Sequence, residues 1–85
     1  MEKFRNKSDL ERFISGAQKR KRAIEAKINE LRESIRSIVQ KARSEKRAQP
    51  MTKIEKIKAR IKVYESHLRE IIQDIRRSRE QLKLL

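Results

Sequence analysis

Apolar residues recur along this chain at alternating steps of four and three, and they do so twice. The first ladder runs through Leu10, Ile14, Ala17, Ile24, Ile28, Leu31, Ile35, Ile38 and Ala42, with a single polar rung at Lys21. The second runs through Ile54, Ile57, Ile61, Tyr64, Leu68, Ile71, Ile75, Leu82 and Leu85, with a single polar rung at Ser78. A four-three spacing is the a and d seam of a coiled coil, since it keeps one stripe of a helix turned toward a partner helix. With Ile14 and Ile61 lettered a, Phe13 falls at g, Val39 and Ile72 at e, and Val63 at c. These four widen the apolar stripe beyond a two-stranded seam and suit a second contact surface.

Pro50 separates the ladders and is the only proline in the chain. Proline disfavours helix at the preceding residue and cannot extend the hydrogen-bond ladder, so the segment around it reads as a turn. Ser8-Asp9-Leu10-Glu11 and Thr52-Lys53-Ile54-Glu55 both have the spacing of a capping box, in which hydroxyl and carboxylate serve each other's backbone amides. The pattern therefore predicts a flexible basic N-terminal segment over 1–7, a first helix over about 8–46, a turn over 47–51 and a second helix over about 52–85. Gly16, the only glycine, falls at an exposed c position and reads as a tolerated surface residue. The expected fold is all-α, an antiparallel two-helix coiled-coil hairpin. A single helix merely kinked at Pro50 is the structural rival.

Two registers can close such a hairpin with a packed against d. One sets Ala42 against Ile57, Ile38 against Ile61, Ile28 against Ile71 and Ile14 against Leu85, and brings Lys21 and Ser78 into one layer. The other, shifted by one heptad, sets Lys21 against Ile71 and Ile14 against Ser78, spreading the polar rungs over two layers. Sharing one layer confines both defects, so the first register is the expectation.

Composition sharpens this picture. The chain has 85 residues, 35% hydrophobic and 44% charged, a balance typical of long exposed helices. One seam of apolar residues is a thin core against the conformational entropy of so many ordered residues, so dimerisation into a four-helix bundle, or docking on a partner, is expected. Cysteine is absent, which excludes disulfides. No apolar run resembles a signal peptide or approaches the ~18 residues of a membrane span, so the expectation is an intracellular protein, cytoplasmic or nucleoid-associated, or nuclear in a eukaryote.

Charge points to a partner. Twenty-five Lys and Arg against twelve Asp and Glu give a formal +13. Both halves are basic, with fifteen cations against seven anions before Met51 and ten against five after it. A field of that sign attracts polyanions, nucleic acid first. Lys19, Arg20, Lys21 and Arg22 form one run and Arg76, Arg77 and Arg79 another; the expected register brings Arg20 level with Arg79 and Arg22 level with Arg77, so the runs meet as a basic girdle around the polar layer. Arg22, Arg36 and Arg43 on the first helix, with Lys62, Arg69, Arg76 and Lys83 on the second, repeat at b positions. An interval of seven residues advances about 10.5 Å, so such stripes can track a phosphate backbone lengthwise. A solvated coiled-coil surface relieved by Glu25, Asp74 and Glu80 would give part of the same pattern.

Sequence-specific reading has little support. Phe4 and Phe13 are the only aromatics outside the ladders, too few for a base-stacking platform. Apolar a and d residues continue through each basic cluster, unlike the basic region of a zipper protein. Catalysis has no evident machinery either: a single histidine, His67, cannot make a metal cluster, and there is no cysteine nucleophile or glycine-rich phosphate loop, so neither cofactor nor metal is expected. The leading expectation is a non-enzymatic DNA- or RNA-binding hairpin, a homo-oligomer that contacts backbone phosphates in packaging, organisation or regulation. The alternative is a coiled-coil assembly or adaptor protein, such as a virion or secretion-machine component, that binds another protein and has no nucleic-acid role.

Overall fold

A computed structural model describes residues 6–85 as two long helices packed against each other, α1 (Lys7–Ser44) and α2 (Met51–Leu84). The hairpin measures 61 × 17 × 14 Å, close to the size of two helices side by side. Of the expected N-terminal segment, residues 1–5 lie outside the described part, whereas Asn6 and Lys7 belong to the start of α1.

The helix ends differ from the capping-box reading. Asn6 caps α1: its Oδ1 accepts the Asp9 amide at 2.9 Å, and its carbonyl accepts the Leu10 amide at 3.3 Å. Asparagine caps as well as serine does, and here it captures the helix start before Ser8 can. At the other end, the Lys46 amide donates to Arg43 O at 3.2 Å and the Arg47 amide to Ala42 O at 2.8 Å. That pair of bonds is a Schellman motif, and it places Lys46 at φ 53°, in the left-handed region. Glycine holds that conformation without the steric cost a Cβ incurs. Lys46→Gly is therefore expected to raise stability by about 0.5 to 1 kcal/mol, read as a higher midpoint in urea; a lower midpoint would show that the lysine side chain contributes something the exposed turn does not reveal.

Thr52 does not cap α2. The helix opens one residue earlier, with Pro50 at the N-cap and no side-chain cap hydrogen bond. The Met51 amide turns back to Gln49 O at 2.9 Å, and Ile54 closes the first helical bond to Pro50 O at 3.1 Å. Proline's fixed φ prepares the helix start, leaving Thr52 inside the first turn. Gly16 carries no conformational demand, since an added Cβ would meet only the Arg20 guanidinium at 3.9 Å.

Packing identifies the register, and it is the one-heptad shift. The central cluster joins Ile28 and Leu31 to Ile61, with Ile24, Ile35, Ile57, Tyr64 and Leu68 packed on it. Ile38 and Ile71, which the expected register sets against Ile61 and Ile28, do not belong to that cluster. Its membership fits the shifted register, which sets Ile24 against Leu68, Ile28 against Tyr64, Leu31 against Ile61 and Ile35 against Ile57. The ends agree. Leu85, due to face Ile14, is 70% exposed, while Leu10 and Ile54, which the expected register leaves unopposed, are 0% and 3% exposed. Extending the observed layers sets Leu10 against Leu82 and Ile54 against Ile38.

Burial explains the choice. The shift gives two large apolar side chains, Leu10 and Ile54, a facing partner and leaves only terminal Leu85 without one, and each such side chain is worth about 1.5 to 3 kcal/mol when buried. Separating the polar rungs costs little. Ser78 is small enough to lie in the core at 4% exposure, and no buried side-chain polar atom among the described residues lacks a hydrogen-bond partner. Lys21 is half-buried, its aliphatic stem lying along the seam. Engineered cysteines can check this in a chain that has none of its own. Ile35→Cys with Ile57→Cys is expected to form an intramolecular disulfide, and Ile35→Cys with Tyr64→Cys, about 10 Å out of level, is not. Faster oxidation of the second pair, followed by mass on the monomer, would restore the unshifted register.

Candidate nucleic-acid interface

Antiparallel packing puts the e positions of both helices along one flank of the hairpin and the g positions along the other. Arg32 and Glu65, both at e, show this directly with an ion pair across the seam at 3.9 Å. The b positions lie just outside the e rows, so the two b stripes expected from sequence fall on the same broad face. Arg22, Arg36 and Arg43 run along α1, and Lys62, Arg69 and Arg76 return along α2, all six exposed. Lys83 extends the second stripe. Each helix alone carries a line of cations; the hairpin makes them a surface.

The girdle, by contrast, comes apart. In the observed register Lys21 and Ile71 share a level, and Arg20 and Arg79 no longer do. Arg20 sits on the g flank, its guanidinium 6.0 Å from the Phe13 ring centroid, a distance at which a cation is attracted to the ring face. Arg77 at c is exposed and lies away from the b face, whereas exposed Lys19 at f stands one turn from Arg22, on the outer edge of that face. Three of the expected cations do meet: Lys21, Arg76 and Arg79 line one cleft of about 130 Å³ with Gln18, Ile72 and Ile75. Sequence reasoning missed Gln18 and the two isoleucines. They sit at a and e positions beside Lys21 and Arg79, a grouping visible only once the register is known.

Ion pairing divides the surface along its length. Among the described residues the pairs are Lys27 with Glu30, Arg32 with Glu65, Arg36 with Glu33, Arg47 with Glu45 and Lys58 with Glu55. All lie between the middle of the hairpin and its turn. Of the eleven candidate cations only Arg36 is engaged, its Nη1 donating to Glu33 Oε1 at 3.0 Å. Glu25, Asp74 and Glu80 were the acids available to neutralise the runs at 19–22 and 76–79, and they make no ion pair with them. Like charges held together without counterions favour any anion that arrives.

No family model, no curated protein and no solved structure matches this chain. Its surface must speak for itself. Among the described residues there is no group of three or more His, Cys, Asp or Glu side chains that could hold a metal ion, and His67 is exposed. Among the described residues no helix is long and apolar enough to cross a membrane. A second concavity, of about 360 Å³, lies at the turn between Ile38, Ala42, Ala48 and Pro50, with Lys41 and Lys53 on its rim.

Proposed function

We propose that this hairpin is a non-enzymatic nucleic-acid-binding protein that lays its b and e face along the phosphate backbone of DNA or RNA. One observation carries the reading: the exposed cations Arg22, Arg43, Lys62, Arg69 and Arg76 share one face of a 61 Å rod, and none of them forms an ion pair among the described residues. Arginine binds phosphate oxygens through a planar fork, and backbone contacts of this kind fix position without reading sequence. Packaging, organisation or regulation of nucleic acid inside the cell follows from such binding. The test is fluorescence anisotropy with unrelated DNA and RNA duplexes of equal length. Similar affinities among sequences, falling steeply with salt, are the expected result; absence of binding at low salt would refute it.

A second reading has its own support. Ile24, Ile35, Ile57, Leu68 and Ile71 occupy core rungs yet remain half-exposed, because two helices cannot enclose a seam by themselves. A second copy could cover them in a four-helix bundle, and an assembly or adaptor protein would use the same surface for another partner. Light scattering at about 500 mM salt, well beyond the range of exposed electrostatics, separates the cases. A dimer that ignores nucleic acid would favour assembly.

A further inference from the structure

The cleft on the b and e face differs from the rest of that surface. Elsewhere on that face the neighbouring cations Arg32, Arg36 and Lys58 are held by carboxylates; here Lys21, Arg76 and Arg79 surround one small concavity with Gln18 beside them and Ile72 and Ile75 also in its wall. None of the three cations has an ion-pair partner among the described residues. Lys21 is half-buried, and the apolar wall excludes water from one side, which strengthens charge interactions inside the cleft. We propose that this cleft is a subsite for a terminal phosphate monoester, the phosphorylated end of a nucleic-acid strand. The proposal rests on the backbone-binding reading and adds to it a fixed point and a direction.

Chemistry favours a monoester over the diesters of the strand interior. A phosphomonoester carries a charge of about −1.5 to −2 at neutral pH and three terminal oxygens. An internal diester carries a single negative charge and two free oxygens. One ammonium, two guanidinium groups and a carboxamide supply more donors than a diester can accept, and they are a match for three oxygens. Access follows the same logic, because an internal phosphate is flanked by sugar on both sides and an end phosphate on only one.

The surrounding charge is one-sided. From the cleft toward the turn, the b positions carry Arg22, Arg36 and Arg43 on α1 and Arg69 and Lys62 on α2 against one acid, Glu55, and the e positions carry Arg32 and Lys58 against Glu25 and Glu65. Away from the turn, the corresponding b and e positions of α1 are Ser15 and Glu11, and α2 offers only Lys83. A strand whose end sits in the cleft therefore finds most of the face's cations on its turn side and a single b-position cation, Lys83, on the other. The stretch from the cleft to Arg43 covers about 33 Å at 1.5 Å per residue, enough for about ten base pairs.

The test compares duplexes of about ten to twelve base pairs, made as DNA and as RNA, that differ only in carrying a terminal phosphate or a hydroxyl. At neutral pH the wild-type chain is expected to bind the phosphorylated duplex about tenfold more tightly, the equivalent of one added charge-assisted contact. Arg76→Gln and Arg79→Gln each are expected to bring that ratio toward one, whereas Lys27→Gln, on the opposite flank, keeps it. Circular dichroism confirms that these exposed-site variants fold. Equal affinity of the wild type for both duplexes overturns the subsite and leaves backbone binding standing. Failure to bind either duplex overturns both, and a ratio unchanged by both arginine variants overturns the location.

Discussion

Raising the salt concentration from about 50 to 200 mM is expected to weaken binding of a duplex to this protein about a thousandfold. The figure follows from counterion release: each phosphate neutralised by a protein cation frees condensed ions, and the logarithm of affinity falls by about 0.9 per contact for each tenfold rise in salt. Six contacts over a fourfold rise give roughly three powers of ten. The b and e face can supply six. Lys21, Arg22, Arg43, Lys62, Arg69, Arg76, Arg79 and Lys83 have no ion-pair partner among the described residues, so they meet phosphate without first leaving a carboxylate. Arg32, Arg36 and Lys58 are held by Glu65, Glu33 and Glu55 in exposed pairs, which are worth no more than about 1 kcal/mol each and are readily exchanged. Anisotropy titrations at four or five salt concentrations give the slope directly. A slope corresponding to one or two contacts would mean that the duplex touches the rod at a point, not along its length. Affinity that survives the whole range would point to apolar docking and to the assembly reading.

Much of the fold could be read from the chain because the four-three ladder is a local signal repeated many times. Ten rungs per helix leave little doubt about helices, and the lone Pro50 between the ladders marks the reversal. Register is another matter. In an antiparallel seam every one-heptad shift restores apolar contact at most levels, so the pattern offers two close solutions and the ends decide between them. Confining Lys21 and Ser78 to one layer suggested the wrong one, because it treated both as equal defects. Ser78 fits inside the core, and Lys21 lies along its edge. The gain from burying Leu10 and Ile54 outweighed what separating them cost.

The candidate site inherits that dependence. The b stripes were legible because they follow from the heptad within each helix and survive any shift. The girdle was not, since it joined Arg20 with Arg79 and Arg22 with Arg77 through an assumed level across the seam. Arg20 lies on the Phe13 flank in any register, and once the level moves a cleft around Lys21 takes the girdle's place. Surface features that span two helices carry the uncertainty of every long-range contact, whereas those built from one helix carry only its periodicity.

Leu31→Ala is expected to cost about 2 to 5 kcal/mol, which for a hairpin with one thin seam is most of its stability. Leu31 and Ile61 are each only 7% exposed and form the best-enclosed layer of the central cluster. Truncating one leaves a gap that the other cannot fill, since both helices are held by the layers above and below. Both helices bury apolar side chains only along the stripe they share, so losing the middle layer loosens both halves together. Urea unfolding followed by helical circular dichroism is expected to show a much lower midpoint for Leu31→Ala, and none of that change for Val63→Ala, whose side chain is 56% exposed at a c position. The same comparison tests oligomerisation. If a second copy covers the exposed face in solution, the midpoint will rise with protein concentration and Val63→Ala will begin to matter, because a dimer couples folding to association. A midpoint for Leu31→Ala equal to that of the wild type would mean that the central cluster does not hold the hairpin together.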